Sequence, residues 1–300
     1  MGKFIQRWVT VAYKDKTRNV EPRTMLHRLA VIVVAAAAIL VLEPPAGANS
    51  FANGNFALTS DAGLTNGQAV SVFGATGTGY GYNVTDWAEC TSGTCPSAGN
   101  TPNNGTSALA FVYTYGAQAA SITDTYGTNN FKLADTGAIP NTYPGACSPV
   151  TALCGNYLAM DGGASNNMAI YQTITGLTSG ANYSVTFDMA AGQQSTATSA
   201  TTEYFDVYFG TTSTSTETAT ATINNPQDSF TPWSLVTMNF TANSSTQILE
   251  FLAGGGPVSD PPMVFLADVT FTQTPEPSAI ALMGAGVLGL LAVRRRRKKA

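Results

Sequence analysis

From Tyr183 to Met189 the chain alternates without a break. Tyr183, Val185, Phe187 and Met189 are large and apolar, and Ser184, Thr186 and Asp188 between them are polar. A period of two places every second side chain on one side of the backbone, so this segment reads as a strand with one buried and one wet face. The same style fills the second half. Residues 168–174 predict a strand, and 176–182 the turn that follows it. Phe205, Val207 and Phe209 alternate with Tyr204, Asp206 and Tyr208. Val236, Met238 and Phe240 form another inward set, then Leu249 with Phe251, then Phe265, Val269 and Phe271. Segments 195–202 and 211–222 are Thr- and Ser-rich and read as exposed loops, or as a Thr-rich edge strand for the second. The first half is looser, with 100–106 a loop, and no amphipathic helix of useful length interrupts the body. These features describe an all-β antiparallel sandwich.

Two apolar runs bracket that body. The run 29–42 has 14 residues, with basic residues before it and Pro44, Pro45, Ala46, Gly47 and Ala48 after it. That is the layout of a secretory signal cleaved after Ala48. Segment 1–48 is therefore read as a signal peptide with a long basic n-region, and Met25 makes a more ordinary start than Met1. The run 279–293 has 15 apolar residues and ends in six cations, Arg294, Arg295, Arg296, Arg297, Lys298 and Lys299. At about 1.5 Å per residue such a helix spans roughly 22 Å, short of a hydrocarbon core of about 30 Å. Thinning of the bilayer or snorkelling of the cations accommodates it. The cations hold their end on the cytoplasmic side, so the body lies outside. Ahead of the run, Pro275 and Pro277 flank Glu276 and precede Ser278, and they keep the entering chain extended.

In this arrangement segment 274–300 resembles the PEP-CTERM tail of exported bacterial proteins. The resemblance implies an exosortase-type transpeptidase as partner and transient anchoring in the inner membrane. It also implies delivery to the cell surface or an extracellular polysaccharide matrix. A permanent, uncut anchor is the plain alternative.

The ends also hold nearly all the positive charge. Of 14 Lys plus Arg, seven precede residue 29 and six lie in the tail; of 18 Asp plus Glu, three lie in the leader and one, Glu276, in the tail. The body 49–273 keeps Lys132 against 14 acids, a net charge near −13. Nucleic acid is excluded as a partner, because phosphate neutralisation needs many cations. Neutral glycans stay open.

A second resemblance lies in the body. Residues Phe51, Ala52, Asn53, Gly54, Asn55 and Phe56 resemble the opening strand of galactose-binding-like jelly rolls, which include many carbohydrate-binding modules. Trp87, the segment 157–162, the strand 171–174, Trp233 and the sequence Ala267-Asp268-Val269 follow in that family's order. The resemblance implies an antiparallel jelly-roll β-sandwich. It also implies a structural calcium, with Asp268 as the acid of the last strand. Where that family carries an acid after the opening Phe, this chain has Ala57, and Asp61 is the nearby substitute.

Cys90, Cys95, Cys147 and Cys154 are an even set in an exported chain, which reads as disulfides with local pairing Cys90–Cys95 and Cys147–Cys154. Each small loop so closed contributes about 2 kcal/mol. A four-thiolate zinc site is the alternative, with loose ligand spacing.

The body has no histidine, since His27 lies in the leader. Ser-His-Asp and Cys-His catalysis are therefore absent. A glycan hydrolase needs only two carboxylates, and Asp86 with Glu89 or Glu203 with Asp206 are the pairs at hand, both reading as surface acids. Tyr80, Tyr82, Tyr113, Tyr115, Tyr126 and Tyr143 are candidate sugar-stacking rings, whereas Trp87 and Trp233 read as core. The leading expectation is a non-catalytic surface or matrix protein. The alternatives are a carbohydrate-binding module with calcium dependence and, more remotely, a glycan hydrolase.

Overall fold

The computed structural model describes residues 49–57, 69–73, 84–90, 95, 110–113, 124–126, 129–131, 133, 155–163, 167–194, 197–260 and 262–274. The signal segment, Asp61, Cys147, Cys154 and the sorting tail from Pro275 through Lys299 lie outside them, as do Tyr80, Tyr82, Tyr115 and Tyr143. Tyr126 is described only through its backbone.

The strands in order are β1 (Ala69–Phe73), β2 (Ala88–Cys90), β3 (Ala110–Tyr113), β4 (Asp124–Tyr126), β5 (Asn129–Phe131), β6 (Tyr157–Asp161) and β7 (Ala169–Thr175). They continue with β8 (Asn182–Gln193), β9 (Thr201–Gly210), β10 (Ser215–Ala219), β11 (Ile223–Asn225), β12 (Ser234–Thr241), β13 (Thr246–Gly256) and β14 (Pro262–Gln273). Among the described residues there is no helix, and so none long and apolar enough to cross a membrane. The first sheet runs β1-β3-β6-β14-β8-β12, and the second β10-β9-β13-β7-β2 with β11 beside β9. The paired strands of both sheets are antiparallel.

The alternation read from the sequence sets the layers. Val185, Phe187, Met189, Met238 and Phe240 of the first sheet share one buried cluster with Phe205, Val207, Phe209, Leu249 and Phe251 of the second. Phe187 meets Phe251 edge-on at 5.1 Å and Phe205 at 6.2 Å, so the sheets pack face to face. Edge-to-face pairs of this kind add about 0.5–1.5 kcal/mol beyond their buried area. The Thr-rich segment 211–222 contains β10, the edge strand of the second sheet. The expected loop 195–202 is shorter than its composition implies, because Thr201 and Thr202 already belong to β9.

One expectation about β14 fails for a physical reason. Phe265, Val269 and Phe271 share parity, yet they do not share a face. The ladder with β8 shifts between Ala267 and Thr270, and Asp268 there has φ of 47°. An extra residue at a bulge reverses the parity of everything after it. Val264 and Leu266 therefore face the main core before the bulge, Val269 and Phe271 after it, and Phe265 joins a separate aromatic cluster.

The opening segment is not a strand either. Asn53 (φ 51°) and Phe56 (φ 53°) bracket a turn, closed by Phe56 N–H donating to the Asn53 carbonyl at 3.2 Å. Gln172 on β7 clasps this segment through both ends of its amide, donating to the Ala52 carbonyl and accepting from its N–H, each at 3.0 Å. On the other side the Val269 N–H donates to the Gly54 carbonyl at 2.9 Å, and a Cβ on Gly54 would collide with the Val269 carbonyl. Trp87 is core, as expected, and donates its indole N–H to the Asn53 carbonyl at 3.1 Å.

Candidate functional site

The outer face of the second sheet carries a cross-strand row of polar and aromatic side chains. Core-facing Phe205, Val207, Phe209, Leu249 and Phe251 leave Tyr204, Asp206, Tyr208 and Glu250 on the opposite side. Register then aligns them. Glu217 of β10 pairs with Tyr208 of β9, Tyr208 with Glu250 of β13, and Glu250 with Tyr171 of β7. Directly paired side chains on one face lie about 4.5–5.5 Å apart at Cβ, so the four form a continuous row. Beside it, Tyr204 lies over Gly254, where a Cβ would come within 2.5 Å of the ring. Glycine at that position is what lets the ring lie flat.

The row's exposure is graded. Glu217 is exposed, Tyr171, Tyr204 and Asp206 are half-buried, Tyr208 is buried and Glu250 is fully buried. Burial, the charge of Glu217 and that of Asp206 hold the Tyr208 phenol well above its ordinary range, and Glu217 also bonds to it. Burial raises Tyr204 too, with Asp206 and Glu217 adding to it, and burial followed by Glu217 raises Asp206. The phenols therefore keep their protons and act as donors next to carboxylate acceptors. Ring faces plus donors and acceptors of both kinds suit a hydroxyl-rich ligand.

Cys90 and Cys95 form a disulfide that packs on this face with Ala169, Tyr208, Leu252 and Tyr171. A carboxylate oxygen of Glu250 lies within 4.8 Å of both sulfurs. Bonded to each other, these two sulfurs are not thiolate ligands, so the four-thiolate zinc alternative is corrected here.

The outer face of the first sheet is different. Phe111, Tyr113, Tyr157, Phe230 and Phe265 are buried there, with Trp233 packed against them. Tyr113 was a candidate sugar-stacking ring, but it is fully buried and stacks on Tyr157 at 5.0 Å and 5°. Asp161 lies at the end of the same face, and burial pushes its carboxyl up to about 7 against an opposing bond from the Gly163 N–H.

Glu203 and Asp206 are not brought together. Positions 203 and 206 differ by an odd number on one strand, so the pleat sends them to opposite faces. Asp206 is on the outer face, and Glu203 points inward, fully buried, with burial pushing its carboxyl up to about 8. That corrects the reading of Glu203 as a surface acid. Asp86 sits in the turn before β2 with φ of 69°, and Glu89 is half-buried on the strand, where burial raises its carboxyl. Asp268 sits at the β14 bulge beside the opening turn, its carboxyl raised by burial and by Asp188.

Residues 273–297 match the family model of the PEP-CTERM protein-sorting motif. No curated protein matches the chain. Among solved structures, the enzymatically active domain of tailspike protein 4 from bacteriophage CBA120 aligns at 8% identity and a TM-score of 0.30. That alignment takes in 64% of this chain and 20% of that one, so the chain spans a fifth of the tailspike domain's length. A family 4 carbohydrate-binding module aligns at 16% identity over 55% of this chain and 87% of its own, with a TM-score of 0.28. The N-terminal cellulose-binding domain of a β-1,4-glucanase from Cellulomonas fimi aligns at 17% identity over 46% of this chain and 92% of its own, also at 0.28.

Proposed function

We propose that this chain is an exported cell-surface or extracellular-matrix protein, sorted by an exosortase-type enzyme through its C-terminal segment, with a non-catalytic jelly-roll body. The observation that carries this reading is the sorting-motif match at 273–297. Before processing, the apolar run holds the chain in the inner membrane; afterwards the body is surface- or matrix-borne. The body is non-catalytic in this reading, which is supported by Glu203 and Asp206 lying on opposite faces of one strand, where a glycosidase needs its two carboxylates about 5–9 Å apart across one bond. Intact mass of the surface-extracted protein tests the sorting step. Loss of the residues beyond the motif is the expected result, and a mass reaching Ala300 overturns it.

A second reading is favoured by the row Glu217, Tyr208, Glu250 and Tyr171. In it the body binds a neutral polysaccharide of the matrix on the outer face of the second sheet. The net charge near −13 selects against polyanions. Rings of Tyr171 and Tyr204 stack on sugar faces, and Glu217 and Asp206 accept bonds from the hydroxyls. A calcium in this reading sits at Asp268 on the β14 bulge of the first sheet, away from the glycan face, with Asp61 as the second acid. Calorimetric titration with the host's neutral matrix polysaccharide tests this. Saturable heat with no released oligosaccharide supports it, and a flat titration of folded protein overturns it.

A further inference from the structure

Where β8 of the first sheet comes against β9 of the second, an amide, a hydroxyl and a carboxyl stand in line. Gln193 closes β8, and its Nε2 donates to Thr201 Oγ1 at 2.8 Å. Thr201 in turn donates its hydroxyl proton to Glu203 Oε1. Thr201 and Glu203 share parity with Phe205, so the pleat turns all three inward. Gln193 and Glu203 are completely buried, and Thr201 nearly so. Neither reading of the function uses these groups.

Each contact has a counterpart in acyl transfer. A hydroxyl becomes a nucleophile when an adjacent base receives its proton, and Glu203 is in place for that. Burial pushes its carboxyl up to about 8, which leaves a minority ionised at neutral pH but makes the ionised form a stronger base. The carbon to be attacked, Gln193 Cδ, lies one bond of about 1.33 Å beyond the nitrogen that touches the hydroxyl. A partial turn about the last torsion of Gln193, which is broad and soft, brings the face of that carbon to Oγ1. Gln193 Oε1 accepts the Asp228 N–H at 2.8 Å, the distance of an oxyanion donor. Nε2 also donates to the Ser199 carbonyl at 3.2 Å and the Asn225 carbonyl at 3.4 Å, two dipoles that favour the nitrogen as it gains a proton and leaves. Burial keeps out the water that would compete with the hydroxyl.

We propose that Thr201 and Gln193 condense into an intramolecular ester, a self-made covalent bond between the two sheets. Thr201 Oγ1 attacks Gln193 Cδ while its proton passes to Glu203. The carbonyl electron pair moves onto Oε1, held by the Asp228 N–H. As the C=O bond re-forms, the C–N bond breaks, Glu203 returns the proton to the nitrogen, and ammonia leaves. Amide plus hydroxyl gives ester plus ammonia, with no oxidant, water or cofactor consumed. A single turnover completes the bond, so the minority ionisation of Glu203 limits its rate and not its yield.

The test is peptide mass mapping of the full-length chain in detergent, shown to be folded by a cooperative melt and kept for days at neutral pH. Chymotryptic cleavage after Met189 and Tyr204 releases 190–204, which holds both residues, no asparagine and no N-terminal glutamine. Loss of ammonia from that peptide therefore cannot come from a succinimide or a pyroglutamate. The expected product is a ring: one ammonia lighter, silent to backbone fragmentation between 193 and 201, and opened by hydroxylamine to a hydroxamate at 193. Thr201→Ser keeps the hydroxyl and should still react, whereas Thr201→Val keeps the shape and should not. Glu203→Gln should slow conversion by about 10²–10⁴-fold. A wild-type peptide of full amide mass overturns the ester and leaves an ordinary hydrogen-bonded core. Ammonia loss that persists in Thr201→Val overturns it too, and a wild-type rate in Glu203→Gln overturns the carboxyl as its base. Should a variant fail to fold, the wild-type fragment pattern decides alone.

Discussion

The outer faces of the two sheets are built from the same pleat and the same taste for aromatic residues, yet one is closed and the other open. On the first sheet Tyr113, Tyr157 and Phe265 are buried over a floor of Ala159, Ala190 and Ala267. Gly192 belongs to that floor too, since a Cβ there would collide with the Phe265 ring. Small floor residues let rings settle against one another and make a second apolar layer. On the second sheet each tyrosine of the row instead faces a carboxylate: Glu217 against Tyr208, Glu250 against Tyr208 and Tyr171. Glu250 and Tyr208 in the middle are buried, and the row stays open at its ends, Glu217 and Tyr171, with Tyr204 half-buried beside it. Cross-strand neighbours, more than ring count, decide whether an aromatic face becomes core or surface.

The comparison is broken most severely by Tyr157→Ala, which removes ring contacts to Tyr113, Trp233 and Phe265 at once. Denaturant unfolding should register a loss of about 3–5 kcal/mol, with glycan binding unchanged in whatever remains folded. If the loss is under about 1 kcal/mol, the first face is not a second core.

Asp161 tests the same face by pH. Its carboxyl is about 7 in the folded chain and near 3.8 when unfolded, so the folded form holds the proton more tightly. Its contribution is complete below pH 3.8 and is lost as pH rises to 7. The amount is on the order of 4 kcal/mol. Asp161→Asn should flatten the stability profile in that window, and an unchanged slope would contradict the burial of the acid.

Gly192→Val should cost about 1–3 kcal/mol by overpacking the Phe265 ring. The smallest stability effect belongs to Tyr171→Ala on the open face, under about 0.5 kcal/mol. The same change should weaken polysaccharide binding about tenfold, as expected for one lost ring contact. Equal affinity in calorimetry would move the ligand off this row.

What could be read from the chain follows the range of the interactions concerned. The strand at 183–189 and the split of Phe205, Val207 and Phe209 from Tyr204, Asp206 and Tyr208 are local alternation, and both stand in the structure. The bulge in β14 adds one residue without any compositional mark, so alternation alone puts Phe265 on the wrong face. The opening turn did leave a mark: Asn53-Gly54 is a strong turn dipeptide, overridden by the resemblance to a strand. Glu203 reads as a surface acid because charge is the only local signal, whereas its inward position is fixed by the parity it shares with Phe205. The row from Glu217 to Tyr171 needs the pairing of four strands, and that register is non-local by nature.

One consequence concerns how the body bears load. Strand β14 lies between β6 and β8, inside the first sheet, and ends where the sorting motif begins. Thr274 extends the ladder by one step, its N–H reaching the Asn182 carbonyl at 2.9 Å. A pull transmitted from a tethered tail therefore runs along the strand axis and strains its ladder bonds with β8 together, as a shear joint does. An edge strand in that position would share the load with one neighbour, where β14 shares it with β6 and β8. The domain is attached by the strand it can least easily lose.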